Sequence, residues 1–341
     1  MKQNTYLEWL TGTDTYWWVD SADLQDIDQA ISIGATGVTT NPLLIKQSIY
    51  RNPELWSPYL KSAKSLTGQA KAEEIIRCVT VEIAKRFMGI YERTNGNQGY
   101  VCAQVNPRFQ GDAEAMISIG KRLAEWAPNI AVKLPATASG LLAIEELSAL
   151  GITTVGTVSF TVPQVLAIAK SQQKGIARAI SKDLKTGKAF AVIMVGRLDD
   201  YLRDVSSDQK VAVPETDIIQ AGTACIKRAY QIFVDQKYES KLMPAGMRGA
   251  YHATALAGAD ISMSLSPKIC ESLKSEEKIK GDMFKPVSQD IISRLMGIRE
   301  FKRAYEPDGM DQTEFITYGA TQRTLSQFSD AGWKYIEEYQ V

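Results

Sequence analysis

The sequence has few of the histidine and cysteine residues that bind zinc and other transition metals. It contains one histidine, His252, and four cysteines, Cys78, Cys102, Cys225 and Cys270, which lie far apart and form no CxxC pair. The ligand spacings typical of zinc sites are therefore missing. We therefore expect no metal site. We interpret the cysteines as core thiols in a reducing compartment, and His252 as a satisfied packing or surface residue.

An excess of one charge and long apolar runs are also missing. Lysine plus arginine and aspartate plus glutamate each number 39, so no net field draws the chain to nucleic acid or anionic lipid. No run approaches the roughly 20 apolar residues of a membrane span, and residues 1–17 show no secretion signal. We expect a cytoplasmic protein that acts on a small molecule, with no nucleic-acid or membrane partner.

Short β-rich segments recur along the chain, and a helical pattern follows most of them. Several are apolar nearly throughout, as strands covered on both faces of a parallel sheet are. The eight segments are YWWVDSA, GVTTNP, GYVCAQV, NIAVKLPA, TTVGTVSF, AFAVIMVG, KLMPAGMR and DISMSLSP. Eight strands alternating with helices, without a glycine-rich phosphate turn, predict a (β/α)8 TIM barrel rather than a doubly wound sheet.

We expect residues 1–341 to form one such domain, since no linker, charge block or repeat divides the chain. Residues 43–97, between the second and third strands, hold two helical patterns, ELWSPYLKSAKSL and KAEEIIRCVTVEIAKRFMGIYE. The chain beyond Pro267 reads as a helical tail. Both regions are interpreted as additions to one barrel.

Polar side chains stand where nearly every predicted strand ends. They are Asp20, Asn41, Gln104 with Asn106, Lys133, Thr157, Arg197 and Arg248. Alone, each has a structural explanation, such as a helix start for Asp20 or an ion pair between Arg197 and a neighbouring aspartate. Because catalytic residues of a barrel lie at the C-terminal ends of its strands, their shared position favours an active site.

The segment NIAVKLPAT places Lys133 inside an apolar strand. Alternation points its side chain the same way as Ala131 and Pro135, toward the barrel interior. A buried cation is costly unless it is paired or loses its proton. Two functions are open, a nucleophile that forms a Schiff base with a ketone or a ligand for an anionic substrate. A structural ion pair with a carboxylate such as Asp20 is the third reading.

Several segments together resemble, in order and spacing, the transaldolase family of class I aldolases. The resemblance runs from about Trp17 to Pro267. The segments are VDSADL, GVTTNPLLI, AVKLPATASGLLAIEELSALGI, GTVSF and VGRLDD. The resemblance implies a lysine Schiff-base enzyme, with no metal and no organic cofactor, that transfers a dihydroxyacetone unit between sugar phosphates, as in the pentose phosphate pathway. The family assembles in several ways, so a homo-oligomer is open, with a dimer as our guess.

The resemblance also implies roles for individual residues. Lys133 matches the lysine that attacks the ketose carbonyl, and Asp20 matches the aspartate that takes the proton from the C4 hydroxyl. Asn41 matches the asparagine that binds the dihydroxyacetone portion, and Thr157 matches the threonine that helps to hold the catalytic water. Arg197 and Arg248 match two arginines that bind the substrate phosphate, for which planar guanidinium groups are suited.

The sequence departs from the family pattern at the water site. Gln104 replaces the usual third-strand glutamate, Asn106 stands at a nearby acidic position, and an amide cannot accept a proton at neutral pH. Fructose-6-phosphate aldolases, which release dihydroxyacetone, also have glutamine there. They have a tyrosine near the end of strand six, however, where this chain has Met194, an apolar residue closer to the phenylalanine of transaldolases.

A second departure lies at the anion end, where Gly246 and Val192 stand at positions that can carry a hydroxyl donor. A sulfonate has one charge fewer than a phosphate, so a transaldolase of 6-deoxy-6-sulfofructose is an alternative, as is an aldolase of the fructose-6-phosphate type. A binding protein for sugar phosphates, without catalysis, is an alternative from another functional class.

Overall fold

In the computed structural model, residues 6–276 and 281–341 are described. The eight predicted strands are all present and form one parallel sheet in the order β7-β6-β5-β4-β3-β2-β1-β8. The strands are β1 (Tyr16–Asp20), β2 (Gly37–Thr39), β3 (Tyr100–Gln104), β4 (Ile130–Pro135), β5 (Thr154–Thr157), β6 (Ala189–Met194), β7 (Lys241–Ala245) and β8 (Ser262–Leu265). The sheet closes nearly completely into the expected (β/α)8 barrel, with β8 paired to β1.

The wall of the barrel, as far as the structure describes it, has one break in its hydrogen bonding. Residues of β7 pair with β6 and residues of β8 pair with β1, but β7 and β8 form no ladder with each other. An ion pair bridges the two elements, since Lys241 Nζ lies 2.5 Å from Asp260 Oδ1. We call this break the β7–β8 seam.

Helices cover the outside of the barrel, which explains why strands such as β4 and β6 are buried throughout. The α-helices of the described residues are α1 (Tyr6–Leu10), α2 (Leu24–Ser32), α3 (Pro42–Arg51), α4 (Pro53–Trp56), α5 (Gly68–Arg93), α6 (Ala113–Ala124), α7 (Ala138–Ala149), α8 (Val162–Ile180), α9 (Val195–Asp208), α10 (Glu215–Ile218), α11 (Ala221–Asp235), α12 (Ala250–Leu256), α13 (Pro267–Lys274), α14 (Gln289–Leu295), α15 (Arg299–Tyr305), α16 (Gly319–Ser326) and α17 (Lys334–Glu338).

One predicted helix of the β2–β3 region is wrong. The segment ELWSPYLKSAKSL is not one helix but the single turn α4 and a 3-10 turn at Lys61–Ala63. Pro58 interrupts the pattern: Ser57 before it is still helical, but a proline has no N–H to donate to the Glu54 carbonyl and its ring crowds that carbonyl. The second helix of this region is confirmed as the long α5.

The predicted helical tail is confirmed for the described residues beyond Pro267. Its last part consists of α16, a π-helical segment at Gln327–Trp333 and α17. The π-helical segment packs against the start of α3, where a Cβ on Gly332 would lie 2.9 Å from the Leu43 nitrogen. We call residues 319–339 the C-terminal tail.

Two searches of the described residues bear on the class of the protein. No helix within 6–276 or 281–341 is long and apolar enough to cross a membrane. The same ranges contain no group of three or more histidine, cysteine, aspartate or glutamate residues that could hold a metal ion. All four cysteines are free thiols, and three of them are buried, while Cys78 is half-buried.

Candidate active site

Lys133 lies on β4, with Gln104 of β3 and Val155 of β5 as its register neighbours. Its side chain lines a cavity inside the barrel and is 6% exposed, which confirms the inward direction predicted by alternation. The amine donates a hydrogen bond to the Thr40 carbonyl at 3.2 Å. No carboxylate of the described residues lies within 4.0 Å of it, so the structural ion pair is absent.

The turn after β4 is tight and fixes the end of the strand. Thr137 caps α7 by accepting a hydrogen bond from the Gly140 backbone at 3.0 Å, and its hydroxyl donates to the Gln110 carbonyl. A Cβ on Gly140 would lie 1.9 Å from the Pro135 carbonyl oxygen, so only glycine permits this approach. The end of β4 is therefore fixed at Pro135, two residues after Lys133.

Asp20 ends β1 and faces Thr39 of β2 in register. The Thr39 hydroxyl donates to Asp20 Oδ1 at 2.7 Å, and Ser264 of β8 lies 2.7 Å from the same hydroxyl oxygen. Because the single Thr39 proton is directed at the carboxylate, the Ser264 hydroxyl is the donor in the second bond. A chain from Ser264 through Thr39 thus orients the Asp20 carboxylate.

Burial raises the pKa of Asp20 above its ordinary value of 3.8. The positive charge of Lys133, the hydrogen bond from Thr39 and the charge of Arg197 all lower it, and burial outweighs them. A carboxylate whose pKa is raised in this way is a stronger base than one on the surface.

The site occupies a cavity of about 690 Å³, part of it open to solvent. Seven of the nine predicted site residues line it, namely Asp20, Asn41, Lys133, Thr157, Met194, Arg197 and Arg248. The side chain of Asn41 also accepts a hydrogen bond from the Leu44 backbone at 3.0 Å and so caps α3. The turn reading therefore holds for Asn41, which also lines the cavity.

Gln104 and Asn106 are not among the cavity-lining residues. Gln104 is 6% exposed, and its Oε1 atom has no hydrogen-bond partner among the described residues. The Asn106 side chain accepts from the Arg108 backbone at 3.0 Å and caps the 3-10 turn Pro107–Phe109. A buried acceptor without a partner requires an explanation in a native structure, and a bound water is one.

Arg248 follows β7 and carries a carboxylate partner. Its Nε and Nη2 atoms donate to Asp200 Oδ2 at 2.8 and 2.6 Å. The other Asp200 oxygen accepts from Arg203 at 2.9 Å, and Arg203 pairs with Glu215. These four residues form a row of alternating charges whose sum is zero.

Arg197 lies in the first turn of α9 and differs from Arg248. None of its nitrogen atoms lies within 4.0 Å of a carboxylate of the described residues. The ion pair with Asp199 or Asp200 that the local sequence suggested therefore does not form. Burial lowers the pKa of Arg197, as does the charge of Arg248, while Asp20 and Asp200 act in the opposite direction.

His252 is fully buried beside the Arg248 backbone, so the surface reading is wrong and the packing reading holds. Its Nδ1 atom accepts from the Arg248 backbone N–H at 3.2 Å, and its Nε2 atom lies 2.8 Å from Asp199 Oδ2. A neutral ring that accepts at Nδ1 carries its proton on Nε2 and donates it to Asp199. The other Asp199 oxygen accepts from the Gly222 N–H at 2.8 Å. Burial raises the pKa of Asp199, against the effect of His252.

Sequence reasoning missed several residues of the site. Ser264 and Ser266 line the cavity, and Gln327 of the C-terminal tail contacts Arg197. The serines had a signal, because residues 262, 264 and 266 are serines at alternate positions of an otherwise apolar strand. Gln327 had none that we recognise.

The fold and the site together define a (β/α)8 barrel with an amine and a carboxylate inside it and two guanidinium groups at one side of the cavity. The family model for transaldolase and fructose-6-phosphate aldolase matches residues 17–333. The chain belongs to this family.

Curated relatives agree with the family model. A transaldolase of Thiobacillus denitrificans is 28% identical over 233 residues, which are 64% of this chain and 62% of that protein. Transaldolase 1 of Streptomyces avermitilis is 30% identical over 237 residues, 62% of this chain and 58% of that protein. A probable transaldolase of Roseobacter denitrificans is 30% identical over 260 residues, 75% of this chain and 88% of that protein. The chain thus spans less than two thirds of the length of the first two relatives.

Proposed function

We propose that the protein is a transaldolase that forms a Schiff base through Lys133 and transfers a dihydroxyacetone unit from a ketose to an aldose, both with an anionic end group. One observation carries the proposal: the Lys133 amine and the Asp20 carboxylate line the same cavity as Arg197 and Arg248. The arginines supply charge for a terminal anion, and the amine and carboxylate supply a nucleophile and a base.

In the proposed reaction, the Lys133 amine adds to the C2 carbonyl of the ketose, and loss of water gives an iminium ion. Asp20 takes the proton of the C4 hydroxyl, the C3–C4 bond breaks, and its electron pair moves into the iminium to form an enamine. An aldehyde leaves. The enamine carbon then attacks the acceptor aldehyde while Asp20 returns the proton, and water releases the new ketose from Lys133.

The remaining residues have supporting roles in this proposal. Asn41 binds the hydroxyl groups of the dihydroxyacetone portion, and Met194 forms an apolar wall for the sugar chain. Thr157 and Gln104 hold the water that adds to the iminium. For Gln104 the supporting observation is its unpartnered buried oxygen, which can accept a hydrogen bond from that water although it cannot take its proton. Asn106 caps its own turn, and no contact supports a direct role in binding.

Borohydride trapping tests the proposal. The protein is incubated with fructose 6-phosphate, treated with borohydride and analysed by peptide mass spectrometry, with Lys133→Met as the matched control. A three-carbon adduct at residue 133, absent in the variant, supports the Schiff base. Free dihydroxyacetone that forms only slowly without an aldose phosphate supports transfer rather than aldol cleavage. No adduct from any ketose, or an adduct that persists in Lys133→Met, refutes the proposed chemistry.

A second candidate substrate is a ketose with a terminal sulfonate, and a specific observation favours it. The pair Arg248–Asp200 belongs to a charge-balanced row, so Arg197 is the one guanidinium of the anion end without a direct carboxylate partner in the described chain. The nearby wall is apolar, with Met194, Met243 and Met247. One uncompensated charge beside apolar groups suits a monoanion better than a phosphate, which carries about −1.5 to −2 at neutral pH.

The pH dependence separates these two substrates. A phosphate ester loses its second proton near pH 6, whereas a sulfonate does not titrate in this range. If the site prefers a monoanion, the KM for fructose 6-phosphate divided by that for 6-deoxy-6-sulfofructose should rise as pH increases from 5 to 7.5. A ratio that falls over the same range indicates a site for the phosphate dianion.

A further inference from the structure

The C-terminal tail reaches the anion end of the cavity. Gln327, the first residue of the π-helical segment, accepts a hydrogen bond from Arg197 Nη1 through its Oε1 atom at 2.7 Å. Thr324 lies at 3.5 Å from the same nitrogen, and the ring of Phe328 lies 5.6 Å from the guanidinium carbon. The closest contact of Arg197 is therefore an uncharged amide.

The two arginines are held in different ways. Arg248 is bound by a carboxylate, Asp200, which offsets its charge. Arg197 is bound by Gln327, which fixes one edge of the guanidinium and offsets none of its charge. A guanidinium held this way presents its remaining N–H donors and a full positive charge to the cavity.

The segment that carries Gln327 is itself fixed. The π-helical segment packs on the start of α3, with Gly332 against Pro42 and Leu43. π-helical turns are rare and are frequently found at functional sites. The residue just before α3 is Asn41, which lines the cavity. The same tail therefore contacts Arg197 and also packs on Pro42, the neighbour of Asn41 in the chain.

We propose that Gln327 is a positioning residue that orients Arg197 and preserves its charge for the terminal anion of the substrate. This inference rests on the proposed function, because it takes the anion to be part of the sugar. It extends the substrate-binding site to the C-terminal tail. It also predicts that the affinity for anions depends on residue 327. Affinity should be highest with the amide, lower with an apolar side chain and lowest with a carboxylate.

Three variants test the order. Gln327→Glu keeps the shape but places a carboxylate on Arg197, and Gln327→Met removes the hydrogen bond without adding charge. Gln322→Glu is the charge control, because it places the same charge on an exposed residue of α16 in the same tail; the side chain of Gln322 donates to the Ile316 carbonyl and does not contact Arg197. Thermal unfolding of each variant checks that the tail remains folded.

The steady-state arm compares fructose 6-phosphate with neutral fructose as donors. Because a carboxylate at residue 327 would offset the charge of Arg197 and repel the substrate anion, Gln327→Glu should raise the KM for the phosphate donor by roughly 10-fold, which is about 1.4 kcal/mol. The KM for fructose and the kcat for both donors should change little, and Gln327→Met should fall between wild type and Gln327→Glu. A purely structural role would instead alter both donors and kcat alike.

A binding experiment tests the role of Gln327 without relying on turnover. Calorimetric titration with inorganic sulfate should show the order wild type, then Gln327→Met, then Gln327→Glu, with Gln322→Glu equal to wild type. Equal affinities in all four proteins, or equal losses in Gln327→Glu and Gln322→Glu, overturn the role of Gln327. Failure of the borohydride trap in the wild-type protein instead overturns the Schiff-base function and leaves the sulfate result to decide on Gln327.

Discussion

Gly246 offers a direct test of how the anion end is built. Its φ angle is +63°, in the left-handed region, and a Cβ placed there would meet Arg197 Cγ at 3.7 Å and Met194 Cβ at 3.8 Å. These are ordinary van der Waals distances, so a side chain at this position fits and lies beside two residues that line the cavity. The substitution Gly246→Ser introduces a hydroxyl donor next to the arginines, and Gly246→Ala introduces the same backbone strain without the donor.

The two variants share the backbone strain at residue 246, and only Gly246→Ser adds a hydroxyl donor. A non-glycine residue in the left-handed region costs about 1–2 kcal/mol, so both should lose that amount of unfolding free energy. A hydrogen bond to a charged group contributes about 1.5–3 kcal/mol, or roughly 10-fold to 100-fold in affinity. The KM for fructose 6-phosphate should therefore be lower in Gly246→Ser than in Gly246→Ala by about this factor.

The assay is steady-state transfer to an aldose phosphate, with urea unfolding to measure the shared strain. Neutral fructose serves as the control donor, since it lacks the anion and should not distinguish Gly246→Ser from Gly246→Ala. Equal KM values for fructose 6-phosphate in the two variants would show that residue 246 does not face the bound anion. They would refute the assignment of this side of the cavity as the anion end.

Three further predictions concern the residues around the site. Asp20→Asn should abolish cleavage. Burial raises the pKa of Asp20 in the folded state, so ionisation of Asp20 destabilises the fold as pH rises from the pKa of the unfolded chain toward that of the folded chain. The variant should therefore equal or exceed wild type in stability at pH 7, and the acid limb of kcat/KM in wild type should lie above pH 3.8. A less stable variant, or a limb at or below that pH, contradicts this account. In Asp199→Asn, a single amide faces two hydrogen-bond donors, His252 and the Gly222 backbone. The variant should lose about 1–3 kcal/mol of unfolding free energy and have a higher KM for anionic donors. Unchanged urea unfolding would rule out the hydrogen-bonded pair of Asp199 and His252. Gly140→Ala should clash with the Pro135 carbonyl and cost about 1–3 kcal/mol, with a lower kcat from displacement of β4, and a variant as stable as wild type would disprove the tight turn.

The barrel could be predicted from the sequence because its signals are local. Each strand is a short apolar run, and alternation within NIAVKLPAT already placed Lys133 inside the barrel. Most candidate residues followed from the rule that barrel strands end at one rim. The helix predicted at ELWSPYLKSAKSL does not form as one element, because Pro58 within its hydrophobic pattern has no N–H to continue the helical hydrogen bonds.

The partners of the site residues could not be predicted, since they come from distant parts of the chain. Arg197 and Gln327 are 130 residues apart, and Arg248 reaches back 48 residues to Asp200. Local sequence favoured Arg197 as the partner of the adjacent aspartates. The three-dimensional arrangement gives Asp200 to Arg248 and Asp199 to His252 instead.

The β7–β8 seam has a consequence for how the barrel opens locally. A strand with a ladder on one side only leaves part of its amide groups without a strand partner, and Pro244 of β7 has no N–H at all. In native-state hydrogen–deuterium exchange, β7 and β8 should therefore lose protection at lower opening free energies than β4, which is paired on both sides. Arg248 follows β7 and Ser264 lies on β8, so the part of the wall that we expect to open most readily borders the candidate active site. Under the proposed function, such opening offers a route for exchanging one sugar for the next.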